Sequence, residues 1–374
     1  MANIYIGLMS GTSIDSIDAV ALSFDKQQLQ LIGSHSHIIP DNLKRDIVAL
    51  CQPGDDSVEL FANTDNRLAK LFAEATLALM ERNNITADQV IAVGSHGQTV
   101  RHAAPEPGKI AFSQQIGNPS LIATLTGCAV VADFRRKDMA LGGQGAPLVP
   151  AFHRQLFTDA EHHRVIVNIG GIANITVLPA GSPEKLEGCI GFDTGPGNLL
   201  LDGWCQRHLK TDYDDDGAWG ASGSVNVALL NQLKTHPFFG APAPKSTGRE
   251  TFNLQWLDEQ LGRFAAITAE DVQATLVRLT AETIADQVKS LKLKTQQVYV
   301  CGGGAFNGAV MAQLAKLLPM KVATTASLGL DPNWVEACAF AWLAKQRIEL
   351  KPGNIPAVTG AKKAAILGGL YLSD

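Results

Sequence analysis

Two short segments carry residue types that could do chemistry, one of them suited to handling phosphate. The first, Gly11-Thr12-Ser13-Ile14-Asp15-Ser16-Ile17-Asp18, offers backbone N–H donors, three hydroxyls and two carboxylates. Donors and hydroxyls suit the β- and γ-phosphates of a nucleotide, and a carboxylate suits Mg²⁺ through water. The second is Asp193 in Gly191-Phe192-Asp193-Thr194-Gly195-Pro196-Gly197-Asn198. It reads as a lone acid after a strand, ahead of a Gly-Pro turn and a helix start, at the strand edge where α/β sites form. Plainer readings stand beside both: an Asp/Ser turn for the first and a helix-capping Asp for the second.

Glycine is abundant, 35 of 374 residues, and much of it falls in five turns, at Gly11, Gly142–Gly145, Gly170–Gly171, Gly195–Gly197 and Gly302–Gly304. Such turns let backbone amides converge on an anion, or simply supply tight reversals. The usual phosphate signatures are absent: no GxxxxGK[ST] and no GxGxxG, the nearest window, Gly302 to Asn307, ending in Asn. No GxSxG nucleophile elbow occurs either. Asp212 to Gly217 matches the first half of a calcium loop, but position 223, where its closing Glu belongs, is Gly. The pairs His35/His37 and His162/His163 lack partners at metal spacing and read as surface residues. The six cysteines form no CxxC and read as reduced, buried side chains.

These segments need a scaffold, and the hydropathy pattern supplies one. Strands are expected at Ile4–Leu8, Ala19–Leu22, Val90–Val93, Ala129–Asp133, Val165–Ile169, Ile175–Leu178 and Gln297–Cys301. Helices are expected at Asp65–Glu81, Ser120–Thr126, Asn198–Leu209, Val272–Leu291 and Asn333–Ala344. The alternation predicts an α/β protein, with a boundary near residues 133–147. A weak internal repeat relates Ile6 to Thr12 and Val167 to Ala173, each a strand running into a small-residue turn. With 46% hydrophobic and 18% charged residues, the composition excludes a disordered chain, and the glycines have no collagen period. A net charge of −5 without a basic stripe argues against a nucleic-acid partner. The N-terminus has no signal-peptide pattern, and the longest apolar stretch, 121–132, is too short for a membrane span, so a cytoplasmic protein is expected.

Two phosphate-type hairpins, a later strand-Gly-Gly-Gly loop and an acid between them resemble the actin/hexokinase/Hsp70 ATPase superfamily. Within it, the chain is similar to the anhydro-N-acetylmuramic acid kinases. The resemblance rests on Met9 to Asp15, Ser95-His96-Gly97-Gln98-Thr99, Asp133-Phe134-Arg135 with Asp138, Gly142 to Leu148, Asn168 to Asn174, Phe192 to Asn198, Ser246-Thr247-Gly248-Arg249-Glu250 and Asn333 to Ala337. These motifs run in order along essentially the whole chain. Two departures are that Ser16 stands where the family commonly has Gly, and Met9 where the superfamily usually has Asp.

The resemblance implies a two-domain actin/hexokinase-like (ribonuclease H-like) fold with an interdomain cleft. Residues 1–132 and 345–374 would carry the first hairpin, and 133–344 the second hairpin and the adenosine loop. It implies an ATP- and Mg²⁺-dependent kinase that opens 1,6-anhydro-N-acetylmuramic acid with water and phosphorylates O6. Asp193 would be the base and Glu336 a helper for the water. Nucleotide contacts would come from Gly11, Thr12, Ser13, Ile14, Asp15, Ser16, Ile17, Asp18, Asn168, Gly170, Gly171, Gly195, Gly197, Gly302, Gly303, Gly304 and Asn307. The metal would lie near Asp15 or Asp18. His96, Arg135, Asp138 and Gln144 would contact the sugar, an Arg fork suiting its lactyl carboxylate. A structural Arg135–Asp138 pair and a packed His96 are the alternatives. A homodimer is expected. The competing readings are a non-catalytic or chaperone-type ATP-binding protein, and an oxidoreductase using the Cys301–Asn307 loop.

Overall fold

The computed structural model describes residues 3–373 apart from 12, 26, 27, 53, 55, 56, 106, 107, 185 and 186. Thr12 therefore lies outside the described residues. The chain forms two compact units: residues 1–156 with 334–374, and residues 157–333. The chain thus crosses between units at 156/157 and 333/334, against the expected 132/133 and 344/345.

In the first unit, β1 (Ile4–Met9) is central. It pairs antiparallel with β2 (Ser16–Asp25), which pairs antiparallel with β3 (Gln28–Ile38). On its other side β1 runs parallel to β4 (Val90–Ser95). A separate ribbon, β5 (Gln98–Ala103) with β6 (Phe112–Ile116), follows. Then β7 (Val130–Ala132) joins β4, and the strand Gly369–Tyr371 closes the sheet edge. Ile4, Ile6 and Leu8 bury one face of β1 in a core shared with Leu68, Phe72, Ala75 and Leu79 of the helix Val58–Arg82. Spacings of four, three and four put those four side chains on one helical stripe.

The opposite face of β1 receives the helix Val335–Ile348 at very short range. A Cβ at Gly7 would lie 1.9 Å from the Ala337 carbonyl oxygen, and one at Gly94 would lie 2.0 Å from that of Phe340. Gly7 and Gly94 are register partners on β1 and β4, so together they form a flat seat. The small side chains Ala337, Ala341 and Ala344 let the helix settle into it.

The second unit repeats the arrangement. Its central β8 (Arg164–Ile169) pairs antiparallel with β9 (Ile172–Leu178), and β9 with β10 (Ile190–Pro196). On the other side β8 runs parallel to β11 (Gln297–Cys301), and β11 to β12 (Lys321–Thr324). Both sheets thus place the first strand at the centre, an antiparallel pair on one side and parallel crossover strands on the other. The weak sequence repeat falls on the central strands β1 and β8 and the turns that follow them, and the α/β expectation holds. The helix Ala269–Ser290, capped by Thr268, packs on β9 and β10 and adds Val272, Leu276, Leu279 and Ile284 to the core. Its Thr280 hydroxyl lies 3.2 Å from the carbonyl oxygens of Pro196 and Gly197, fixing the end of β10.

Candidate active site

In the second unit, Asp193 lies inside β10 rather than after it. It sits opposite Asn174 of β9, where the register slips before Gly195. The helix Asn198–His208 begins after Gly197, so Asp193 does not cap it. Two main-chain contacts hold it: its N–H donates to the Lys245 carbonyl at 3.0 Å, and the Thr247 N–H donates to Oδ2 at 2.9 Å. Burial pushes the carboxyl up to about 7; the Thr247 N–H and Lys245 pull it back, while Glu250 adds to the rise. A carboxyl near 7 is matched to taking up a proton at neutral pH. Lys245 is itself buried. Its ammonium donates to the Phe238 and Phe239 carbonyls at 3.0 and 3.2 Å and sits 4.6 Å from the centre of the Phe238 ring. Burial lowers its pKa, against the pull of Asp193.

The turn between β8 and β9 is Gly170-Gly171. Its carbonyls face the start of the helix Asn198–His208: Gly170 accepts from Asn198 at 2.8 Å, and Gly171 from Gly197 and Leu199 at 2.9 and 3.1 Å. The Gly197 N–H is therefore committed, which corrects the expectation that it faces phosphate. A Cβ at Gly197 would lie 2.3 Å from the Gly170 oxygen, and one at Gly195 2.7 Å from the Phe239 ring. These glycines serve close packing. Gly302 likewise spends its N–H on the Pro332 carbonyl at 3.0 Å, and a Cβ at Gly304 would lie 2.3 Å from Ile169 Cγ2. Asn307 caps the helix Gly308–Leu317, its Oδ1 accepting from the Val310 N–H at 3.0 Å. Gly170 and Gly303 differ: a Cβ would meet nothing nearer than 3.7 Å at the first and 3.4 Å at the second. Asn168, buried at the end of β8, stands beside that turn.

In the first unit, the β1–β2 turn holds Gly11, where a Cβ would meet nothing within 4 Å. Ser13 is exposed at the same turn. The Ile14 and Ile17 side chains point into the core, leaving only their backbone for a ligand. Asp15 is paired with Lys44 at the surface. Asp18, on β2 opposite Met9, accepts from Ser36 Oγ at 3.0 Å and from Ser16 Oγ at 3.4 Å, and burial raises its pKa. Of the two acids proposed near a metal, Asp18 thus keeps a sheltered, hydroxyl-lined position.

His96 follows β4 and donates its N–H to the Leu8 carbonyl at 3.0 Å. Its Nε2 lies 2.8 Å from Arg135 Nη2, and its ring centre 4.6 Å from that of Phe340. Burial, helped by the Arg135 charge, drives the imidazole far below its ordinary pKa, so the neutral ring accepts from the guanidinium. Arg135 also donates through Nη1 to the Gly145 carbonyl at 2.8 Å. Burial lowers its pKa to about 10, opposed by Glu336 and Asp138. Glu336 stands in the first turn of the helix Val335–Ile348, where a negative charge suits the helix dipole. Asp138 does not fit a sugar contact. It is fully buried, with Oδ1 accepting from Asn354 at 2.6 Å and Thr359 at 2.7 Å, and Oδ2 from the Gly145 N–H at 2.9 Å. It ties the glycine loop to residues 354–359. Gln144, on that loop, is half-buried, and its side-chain amide has no hydrogen-bond partner among the described residues.

Sequence reading missed Lys245, Thr247 and Glu250 as neighbours of Asp193. The signal was the unassigned run Ser246 to Glu250. Among the described residues no group of three or more His, Cys, Asp and Glu is placed to hold a metal, and no helix is long and apolar enough to cross a membrane.

The family model for anhydro-N-acetylmuramic acid kinase matches residues 3–373. An anhydro-N-acetylmuramic acid kinase of Shewanella pealeana is 52% identical over 100% of this chain and 99% of its own length. One of Coxiella burnetii is 51% identical over 99% and 98%. Among solved structures, a ROK family glucokinase from Streptomyces griseus in complex with glucose and AMPPNP aligns over 92% of this chain and 100% of its own, at 14% identity and a TM-score of 0.39.

Proposed function

Because this chain belongs to the anhydro-N-acetylmuramic acid kinase family, we propose that it opens 1,6-anhydro-N-acetylmuramic acid with water and transfers the γ-phosphate of ATP to O6. The products are N-acetylmuramic acid 6-phosphate and ADP, and the reaction belongs to cell-wall recycling. The observation that supports this best is Asp193, a half-buried carboxyl that accepts from the Thr247 N–H at 2.9 Å and is pushed up to about 7. In this reading Asp193 takes a proton from water as the water oxygen bonds to the anomeric carbon. The bond from that carbon to O6 breaks, and its electron pair makes O6 the nucleophile toward the γ-phosphorus. ADP leaves. Atoms balance as anhydro-sugar plus ATP plus water giving sugar 6-phosphate plus ADP and a proton.

Arg135, with its orientation fixed by His96 and the Gly145 carbonyl, is the candidate partner of the lactyl carboxylate. Glu336 helps to orient the water, and the free amide of Gln144 suits a sugar hydroxyl. Phosphate contacts are assigned to the open backbone at Gly11, Gly170 and Gly303, with Ser13, Gly171 and Asn168 beside them. Bound Mg²⁺ would neutralise charge on the transferring phosphate. The residues fit an ion held mainly by the nucleotide: Asp18 is the carboxylate within the hydroxyl-lined position, suited to contact through water. We further propose a cytoplasmic homodimer, with light scattering as the test of the dimer.

The direct test is ADP release with and without the anhydro-sugar, in ¹⁸O-water, followed by mass spectrometry. Sugar-dependent ADP release with one ¹⁸O in the product supports the reading. ATP turnover indifferent to the sugar overturns it and favours an ATP-binding protein without sugar chemistry.

A further inference from the structure

Thr247 presents two polar groups beside Asp193, and only one of them is spent. Its N–H holds Asp193 Oδ2 at 2.9 Å. Its hydroxyl oxygen is buried and has no hydrogen-bond partner among the described residues. Asp193 Oδ1 also has no hydrogen-bond partner among the described residues. A buried hydroxyl left unpaired costs roughly 1–3 kcal/mol, so a native protein retains one where something outside the chain, commonly a water, completes it. Covalent geometry keeps a threonine Oγ within about 3.7 Å of its own amide nitrogen. The Thr247 hydroxyl is therefore no more than about 7 Å from Asp193 Oδ2. One water accepting from one group and donating to another spans about 5.5 Å.

We propose that the Thr247 hydroxyl and the Asp193 carboxylate together hold the water that attacks the anomeric carbon. The hydroxyl donates to the water oxygen, and the carboxylate accepts the proton that water loses. One residue thus does two jobs: its main chain fixes the base, and its side chain fixes the nucleophile relative to that base. The backbone half survives any substitution except proline, so the two jobs are separable. This inference rests on the reading of Asp193 as the base.

The test compares Thr247→Val, which keeps shape and N–H but lacks the hydroxyl, with Thr247→Ser, which restores it. ADP release is followed at saturating ATP with varied anhydro-sugar. Thr247→Val is expected to lower kcat at least tenfold with the sugar KM within threefold, and Thr247→Ser to recover most of it. Normal kcat in Thr247→Val overturns the proposal, as does an equal loss in Thr247→Ser. If Thr247→Val does not fold, Thr247→Ala replaces it under the same criteria, with the melting temperature confirming the fold. Asp193→Asn, measured in parallel, separates the two claims. Full activity there refutes the base assignment, whereas an inactive Asp193→Asn beside a fully active Thr247→Val refutes the water-holding hydroxyl alone.

Discussion

At the residue scale, Asp193 carries two linked consequences. As a base it must be ionised, so kcat/KM is expected to rise with pH through about 7 and level off above it. A profile flat from pH 5.5 to 8.5 would exclude it. The stability effect runs the other way. The folded carboxyl titrates near 7 and the unfolded one near 4, so between these values the folded state binds the extra proton, and stability falls as pH rises. Asp193→Asn keeps an acceptor for the Thr247 N–H and removes that cost. It is expected to lose activity by about 10³-fold or more while melting about 3 °C higher than the parent at pH 8; calorimetry at pH 5 and pH 8 checks the second part. In the first unit, Arg135→Lys replaces a planar fork with a point charge and loses the paired contacts to His96 and Gly145. Its sugar KM should rise about tenfold, with the ATP KM within twofold. Equal weakening of both substrates would mean a structural role instead.

At the element scale, glycine has two separable uses, and the β8–β9 turn tests them. A Cβ at Gly170 meets only ordinary contacts, so Gly170→Ala should melt within about 1 °C of the parent yet bind ATP at least fivefold more weakly, measured by calorimetric titration. Gly197→Ala drives a Cβ to 2.3 Å from the Gly170 oxygen and should cost about 3 kcal/mol or more, read as loss of soluble protein or a large fall in denaturant midpoint. Composition registers both glycines alike, because it counts residues and not clearances. The central strands and the long helices were legible from runs such as Ile4 to Leu8 and the stripe from Leu68 to Met80. β3 was not, because Gln28 to Ile38 interleaves polar residues and two histidines with its apolar ones. β10 hid behind Gly191, Gly195 and Pro196, which read as a turn, so the sequence reading put Asp193 beyond the strand that contains it. Lys245 and Thr247 reach Asp193 from more than fifty positions away, a distance no local pattern spans.

At the scale of the whole molecule, the two units share the order of five strands, and the first unit adds a sixth at its edge. The second unit is one continuous stretch, 157–333, with its own core. Expressed alone, it should fold cooperatively and show native-like circular dichroism; a non-cooperative melt would show that it depends on the rest. The first unit is discontinuous, because residues 334–374 return to it. Asn354 and Thr359 are the side chains that satisfy the buried Asp138, and Asp138 in turn holds Gly145, whose carbonyl holds Arg135. A ribosome reaches those two residues only after the second unit has been made. The Arg135 guanidinium is thus braced only after residues 157–333 have been made, and a nascent chain can acquire both glycine-bearing hairpins before it acquires that brace.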